Sequence, residues 1–366
     1  MSPCRVLLSA SILLALCACG SSGDTASTSD ASPADAAPAL DAGGPDSPPG
    51  PSAQPLTAPA NETWTWVDVP GNVCANGSPT GVGVNFTSQS TDVLVFLEGG
   101  GACWDGATCY GGQSVSTYLT GYGSTEFATD PQRVLTAVSR DPSSPFRAMN
   151  MIYVPYCTGD VHAGNNVVTY SYLGIDHPTS HVGGKNLATV LARVAATFPG
   201  AKHVWIAGDS AGGFGSALSV PLARKAFPSA KLGILDDSGQ PIAPTTNRWA
   251  TWRDAWKLAT PPGCNGCDTD PSAYVHYYQS TFPDVTFAIL SFNPDPVIST
   301  FMGITPTTFS TELGGMLAAI DQGGGRTRYY VSLGASHVVL TTPTPALTSW
   351  LQQMVDDAPD WQSQKP

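Results

Sequence analysis

The chain predicts an α/β fold: a mostly parallel, doubly wound sheet with helices on both faces. Three observations carry that expectation. Short β-branched and aliphatic runs alternate with helical patterns through most of the chain's 366 residues, the signature of parallel strands joined by helical crossovers. Hydrophobic residues make up 42%, with 9 Trp, 12 Tyr and 12 Phe, which is enough to fill a large core and excludes disorder throughout. Finally, 38 Gly and 32 Pro against only 12% charged residues demand many tight turns, so coiled coils and helical bundles are poor fits.

The first element is an address. Arg5 precedes an apolar run from Val6 to Leu16, and Cys17-Ala18-Cys19-Gly20 follows, so residues 1–18 read as a secretory signal. The run is too short to span a bilayer stably. Leu16-Cys17-Ala18-Cys19 also resembles a bacterial lipobox, in which Cys19 becomes the first mature residue and carries a lipid. The expectation is an exported lipoprotein of a bacterial cell envelope, touching the membrane only through Cys19, or a secreted protein if the signal is cut in the ordinary way. Residues 19–60 are rich in Ala, Asp, Ser and Pro, with Asp24, Asp30, Asp35, Asp41 and Asp46 and no Lys or Arg. Such a segment cannot offset its ordering entropy and reads as a stiff, disordered tether. Residues 61–366 are left as one folded domain. The net charge of −12 argues against nucleic acid as a partner.

Of nine cysteines, Cys4, Cys17 and Cys19 belong to the signal. Cys74, Cys103, Cys109, Cys157, Cys264 and Cys267 form an even set suited to three disulfides in an oxidising compartment, with the pairing left open. Cys264-Asn265-Gly266-Cys267 has CxxC spacing but no second pair or nearby histidines for zinc, so it reads as a local disulfide.

Strands are expected over residues 93–97, 151–154, 203–207, 231–235, 285–290 and 328–333. Leu187, Val190, Leu191 and Val194 form the stripe of an amphipathic helix closed by Pro199-Gly200. Pro345 opens a last helix that buries Leu347, Trp350, Leu351 and Met354.

Chemistry enters at Gly208-Asp209-Ser210-Ala211-Gly212, which lies between a strand and an apolar helical pattern. That is the setting of a G-x-S-x-G nucleophile elbow, where small neighbours let the chain pass a strained turn and expose the Ser210 hydroxyl. A serine needs a base and an orienting acid. His337 follows the last strand, and Asp295 follows the strand before it, so the order Ser210, Asp295, His337 is that of an α/β-hydrolase-like triad. Asp237, ending the strand after the elbow helix, is the rival acid, or else it caps or shapes the pocket. Gly99-Gly100-Gly101, after the strand at 93–97, can offer backbone N–H groups to an oxyanion, with Ala211 N–H as a further donor.

Three segments together resemble the pectin acetylesterase/Notum family of serine carboxylesterases. They are Leu97-Glu98-Gly99-Gly100-Gly101-Ala102-Cys103-Trp104, Tyr153-Val154-Pro155-Tyr156-Cys157-Thr158-Gly159-Asp160-Val161-His162 and Gly208-Asp209-Ser210-Ala211-Gly212-Gly213. The resemblance covers most of residues 62–355. It implies deacylation of an O-linked ester through Ser210, Asp295 and His337, oxyanion positions at Gly100, Gly101 and Ala211, and neither metal nor other cofactor. Ala102 and Asp209 depart from the plant-type pattern, which has Trp and Cys there. Trp104, Tyr156 and His162 are expected to line the substrate site. His177 and His181 are four apart, but Pro178 between them opposes a helical metal pair. The expected substrate is an O-acetylated extracellular polysaccharide. The alternatives are a hydrolase of longer acyl esters or polyesters, and a surface glycan-binding protein on the same scaffold.

Overall fold

A computed structural model describes residues 53–112, 114–115, 119–130, 139–243 and 245–366. The expected signal at 1–18, the lipid-bearing Cys19 and most of the expected tether lie outside the described residues.

Among the described residues there are ten strands: β1 (Thr65–Val73), β2 (Pro79–Asn85), β3 (Val93–Leu97), β4 (Asn150–Val154), β5 (Asn166–Tyr172), β6 (Ile175–His181), β7 (His203–Asp209), β8 (Lys231–Asp237), β9 (Thr286–Asn293) and β10 (Arg326–Leu333). Eight form one sheet in the order β1-β2-β4-β3-β7-β8-β9-β10. From β4 to β10 all neighbours run parallel, while β2 pairs antiparallel with both β1 and β4. Strands β5 and β6 form a separate antiparallel hairpin. The helices are α1 (Gly106–Tyr110), α2 (Ser124–Thr129), α3 (Gly183–Thr197), α4 (Ala211–Leu218), α5 (Val220–Ala226), α6 (Arg248–Trp256), α7 (Ala273–Thr281), α8 (Pro296–Met302), α9 (Pro306–Gln322) and α10 (Pro345–Val355).

The strand period places the core on both faces. Every residue of β3 is buried. Val93, Val95 and Leu97 join the cluster that holds Leu187, Val190, Leu191 and Val194 of α3, whereas Leu94 and Phe96 join the one that holds Leu347, Trp350, Leu351 and Met354 of α10. Helix α10 begins as expected, with Pro345 in its first turn and the Thr344 side chain accepting from Leu347 N–H.

All six strands expected from the sequence are present, several extended by a few residues. Strands β1 and β2 and the β5–β6 hairpin were not expected. Strand β1 is interrupted by Pro70 and Gly71, with a register shift between Asp68 and Val73. In β5 alternate residues are exposed, so neither segment carries the continuous apolar run of a central parallel strand.

The start of the folded body also needs correction. Residues 53–60, assigned to the tether, pack against α3: Leu56 is buried, its N–H donates to Thr197 Oγ1, and Arg193 donates to Gln54 O and Pro55 O. Among the described residues no helix is long and apolar enough to cross a membrane.

Among the described residues three disulfides form: Cys74–Cys157, Cys103–Cys109 and the local Cys264–Cys267. Together with His181, Cys103 and Cys109 lie close enough for a metal site, but the disulfide removes both thiolates as ligands. His181 instead contacts Thr158 O through Nδ1 and the Tyr170 hydroxyl through Nε2. His177 lies on β6, stacked on Tyr110 at 3.9 Å.

Candidate active site

The carboxyl ends of β3, β7, β8, β9 and β10 gather the chemistry, where an open α/β sheet presents its loops. At the end of β7, Ser210 has φ 53° and ψ −115°, a strained left-handed conformation for a residue with a side chain. Two bonds hold it: Ser210 N–H donates to Asp237 O at 2.7 Å, and Ser210 O accepts from Phe214 N–H at 3.1 Å. The turn depends on its glycines. A Cβ on Gly212 would stand 1.9 Å from Leu97 O, and one on Gly208 would stand 2.2 Å from Gly212 O. Ser210 keeps 9% exposure at the N-terminus of α4.

Beside it runs the glycine loop after β3. Gly100 and Gly101 have φ of 148° and 79°, values that side chains rarely adopt. Gly99 N–H donates to Asp209 Oδ1 at 3.0 Å, and Ala102 N–H donates to Ser114 O at 3.1 Å, so both ends of the loop are anchored. Ala211 N–H belongs to the first turn of α4 and has no acceptor within the helix.

At the end of β9, Asp295 is fully buried and caps α8, its Oδ1 accepting from Val297 N–H at 3.0 Å and Ile298 N–H at 2.9 Å. Its Oδ2 lies 2.7 Å from His337 Nδ1. The His337 side chain remains 18% exposed. The expected pairing of Asp295 with His337 is therefore formed. Among the described residues no hydrogen bond joins Ser210 Oγ to the imidazole, and such bonds commonly tighten only with substrate bound.

Asp237 does not touch the imidazole by hydrogen bond. Its Oδ1 accepts from Val339 N–H at 2.9 Å and its Oδ2 from Leu340 N–H at 2.8 Å. Burial pushes Asp237 up to about 6, opposed by those N–H donors. Burial likewise raises Asp209 to about 7, with Asp237 adding to the effect, and Asp236 to about 8.

The expected lining residues divide. Trp104 is half-buried beside the glycine loop, with the Arg248 guanidinium 4.1 Å from its ring centroid and Trp252 at 5.9 Å. Tyr156 and His162 are corrected: both are buried behind that loop and face protein. The Tyr156 hydroxyl accepts from Val161 N–H at 2.8 Å, and His162 Nε2 lies 2.9 Å from Glu98 O. Burial lowers the pKa of His162, favouring the neutral ring. Glu98, which the sequence did not single out, accepts Tyr156 N–H at 2.7 Å; burial, and then Asp130, raise its pKa well above the usual range. The signal was available in a lone carboxylate ending an apolar strand.

Residues 60–255 match the family model described as Pectinacetylesterase. That span includes Ser210 and the glycine loop but not Asp295 or His337. The chain is 29% identical over 178 residues to palmitoleoyl-protein carboxylesterase NOTUM of Mus musculus, covering 45% of this chain and 33% of the relative. For the Homo sapiens protein of that name the figures are 28% over 183 residues, 45% and 34%. The chain thus spans about a third of the length of these curated relatives. The structure of the Wnt deacylase Notum from Drosophila superposes with a TM-score of 0.56 at 17% identity, covering 80% of this chain and 93% of that one, which supports the α/β-hydrolase-like fold. With the family model spanning more than half of its residues, this chain belongs to the pectinacetylesterase family.

Proposed function

We propose that the chain is a serine carboxylesterase that removes O-acyl groups, O-acetyl above all, from an extracellular polysaccharide. The observation that carries the reading is the 2.7 Å contact between Asp295 and His337 at the mouth of the strand ends that also present the strained Ser210. In this mechanism His337 Nε2 takes the Ser210 proton as Oγ attacks the ester carbonyl, and Asp295 holds the opposite ring nitrogen and stabilises the imidazolium. The N–H groups of Gly100, Gly101 and Ala211 receive the oxyanion. His337 then passes its proton to the leaving sugar oxygen as the C–O bond breaks, and activates the water that releases the acid from the acyl-enzyme.

The acetyl and polysaccharide assignments rest on the family. The similarity to the palmitoleoyl-protein carboxylesterase NOTUM of Mus musculus supports a second reading with a longer acyl chain. Acetate release from a panel of acetylated polysaccharides, with Ser210→Ala as control, tests the first reading, and relative rates on p-nitrophenyl acetate and palmitate separate the two. If Ser210 fails to react with an organophosphonate probe, the chain is a glycan-binding protein on this scaffold. Three disulfides and the amino-terminal signal pattern support export, with the lipid on Cys19 as the proposed anchor.

A further inference from the structure

Asp237 occupies a position that the triad does not explain. It is the last residue of β8, fully buried, and joined to both halves of the candidate site. Its backbone carbonyl accepts the N–H of Ser210, while its carboxylate accepts the N–H groups of Val339 and Leu340, two and three residues beyond His337. Ser238 completes the arrangement. Its hydroxyl lies 3.0 Å from Asp237 Oδ1, to which it donates, and accepts from Val338 N–H at 3.0 Å.

The segment held in this way has a specific need of it. Val338 has φ 61°, a left-handed conformation that a β-branched residue adopts only when its surroundings impose it. On the other side of His337, residues 333–336 are exposed, so that approach offers little restraint on the loop. Asp295 fixes the ring through one atom, Nδ1, which sets its rotation but leaves the height of the backbone above the sheet to other contacts. A carboxylate taking consecutive N–H groups makes short, strong, charge-assisted bonds, and here it belongs to the residue that also holds the nucleophile's own N–H.

We propose that Asp237, assisted by Ser238, is a positioning residue: it latches the 338–340 segment to the nucleophile elbow and so sets the distance between the His337 imidazole and Ser210. The inference rests on the esterase reading for its kinetic consequence and on the hydrogen bonds alone for its structural one.

Two variants and two measurements test it in the full chain. Asp237→Asn keeps the shape but replaces an oxygen acceptor with an amide donor facing backbone N–H. It should lower kcat on p-nitrophenyl acetate by roughly 10- to 100-fold, the scale expected from a displacement of about 1 Å in a catalytic group, with KM within about twofold. Ser238→Ala, which loses the bonds to Val338 and to Asp237 Oδ1 but keeps the carboxylate on Val339 and Leu340, should show a smaller loss in the same parameter. In Asp237→Asn combined with Asp295→Asn the loss should fall well short of the product of the single losses, because both act through His337. Hydrogen exchange at the amides of 338–340, followed by mass spectrometry, should rise in Asp237→Asn whatever the chain hydrolyses. Wild-type kcat in Asp237→Asn, fully multiplicative losses, or unchanged exchange at 338–340 would each overturn the latch. An inactive wild-type chain in which the variant still raises that exchange would sink the esterase reading and leave the latch standing.

Discussion

The ends of β8 and β9 invite comparison, since each delivers a fully buried aspartate to the segment around His337. Asp237 is still within its strand and spends both oxygens on the backbone of Val339 and Leu340. Asp295 lies two residues beyond its strand and caps α8 with Oδ1 alone, which leaves Oδ2 for the imidazole. A helix N-terminus thus occupies one oxygen and holds the carboxylate in a single orientation, so the free oxygen addresses the ring. Two aspartates alike in type, burial and location therefore differ in role because different partners satisfy their atoms first.

The largest expected effect concerns neither acid. Ser210→Ala should lower kcat by about 10⁴- to 10⁶-fold in an ester assay, and activity near wild type would place the chemistry elsewhere. Next comes Asp295→Asn, which should lose about 10⁴-fold because an amide opposes the required tautomer. Asparagine is as good an N-cap as aspartate, so the same variant should keep its Tm within a few degrees. A large fall in Tm with modest loss of rate would reverse the contrast with Asp237.

A smaller effect is expected at Gly101→Ala. Its added Cβ would meet Ser114 O at 2.3 Å on a backbone with φ 79°, so the loop must move and the oxyanion donors with it. A loss of about 10²- to 10³-fold in kcat is the scale of one donor, read in the same assay.

The smallest effect is on stability. Asp209 and Asp236 have native pKa values raised to about 7 and about 8 by burial, above those of the unfolded chain. The native state then keeps protons that the unfolded state has released, so their contribution is complete below the unfolded value and is lost as pH rises through 7 and 8. From about pH 6 to 8 the Tm should fall, each group contributing a slope of at most about 1.4 kcal/mol per pH unit, the fall should level off above pH 8, and Asp236→Asn should flatten the curve. A Tm that rises across this window would show that these carboxylates are ionised in the folded chain.

Much of the site was legible because its chemistry is tied to local pattern. The Gly208-Asp209-Ser210-Ala211-Gly212 turn, the glycines after β3 and the order of strands are visible in the chain, and they led to Ser210, Asp295 and His337. Tyr156 and His162 were misread because aromatic residues near a strand end look the same whether they face a pocket or, as here, fill the space behind the glycine loop. Strands β1 and β2 escaped because their pairing partners, and not their composition, make them strands.

By itself the sequence determined the alternation of parallel strands and helices, the elbow and the supply of disulfide-forming cysteines, all of which follow from short-range periodicity and residue type. Only the tertiary structure decided which aspartate meets the imidazole and which holds its loop, which cysteines pair, and that residues 53–60 pack on α3. Those choices depend on the direction of single atoms across long sequence separations, and direction is a property of packed side chains and satisfied hydrogen bonds that no local pattern contains.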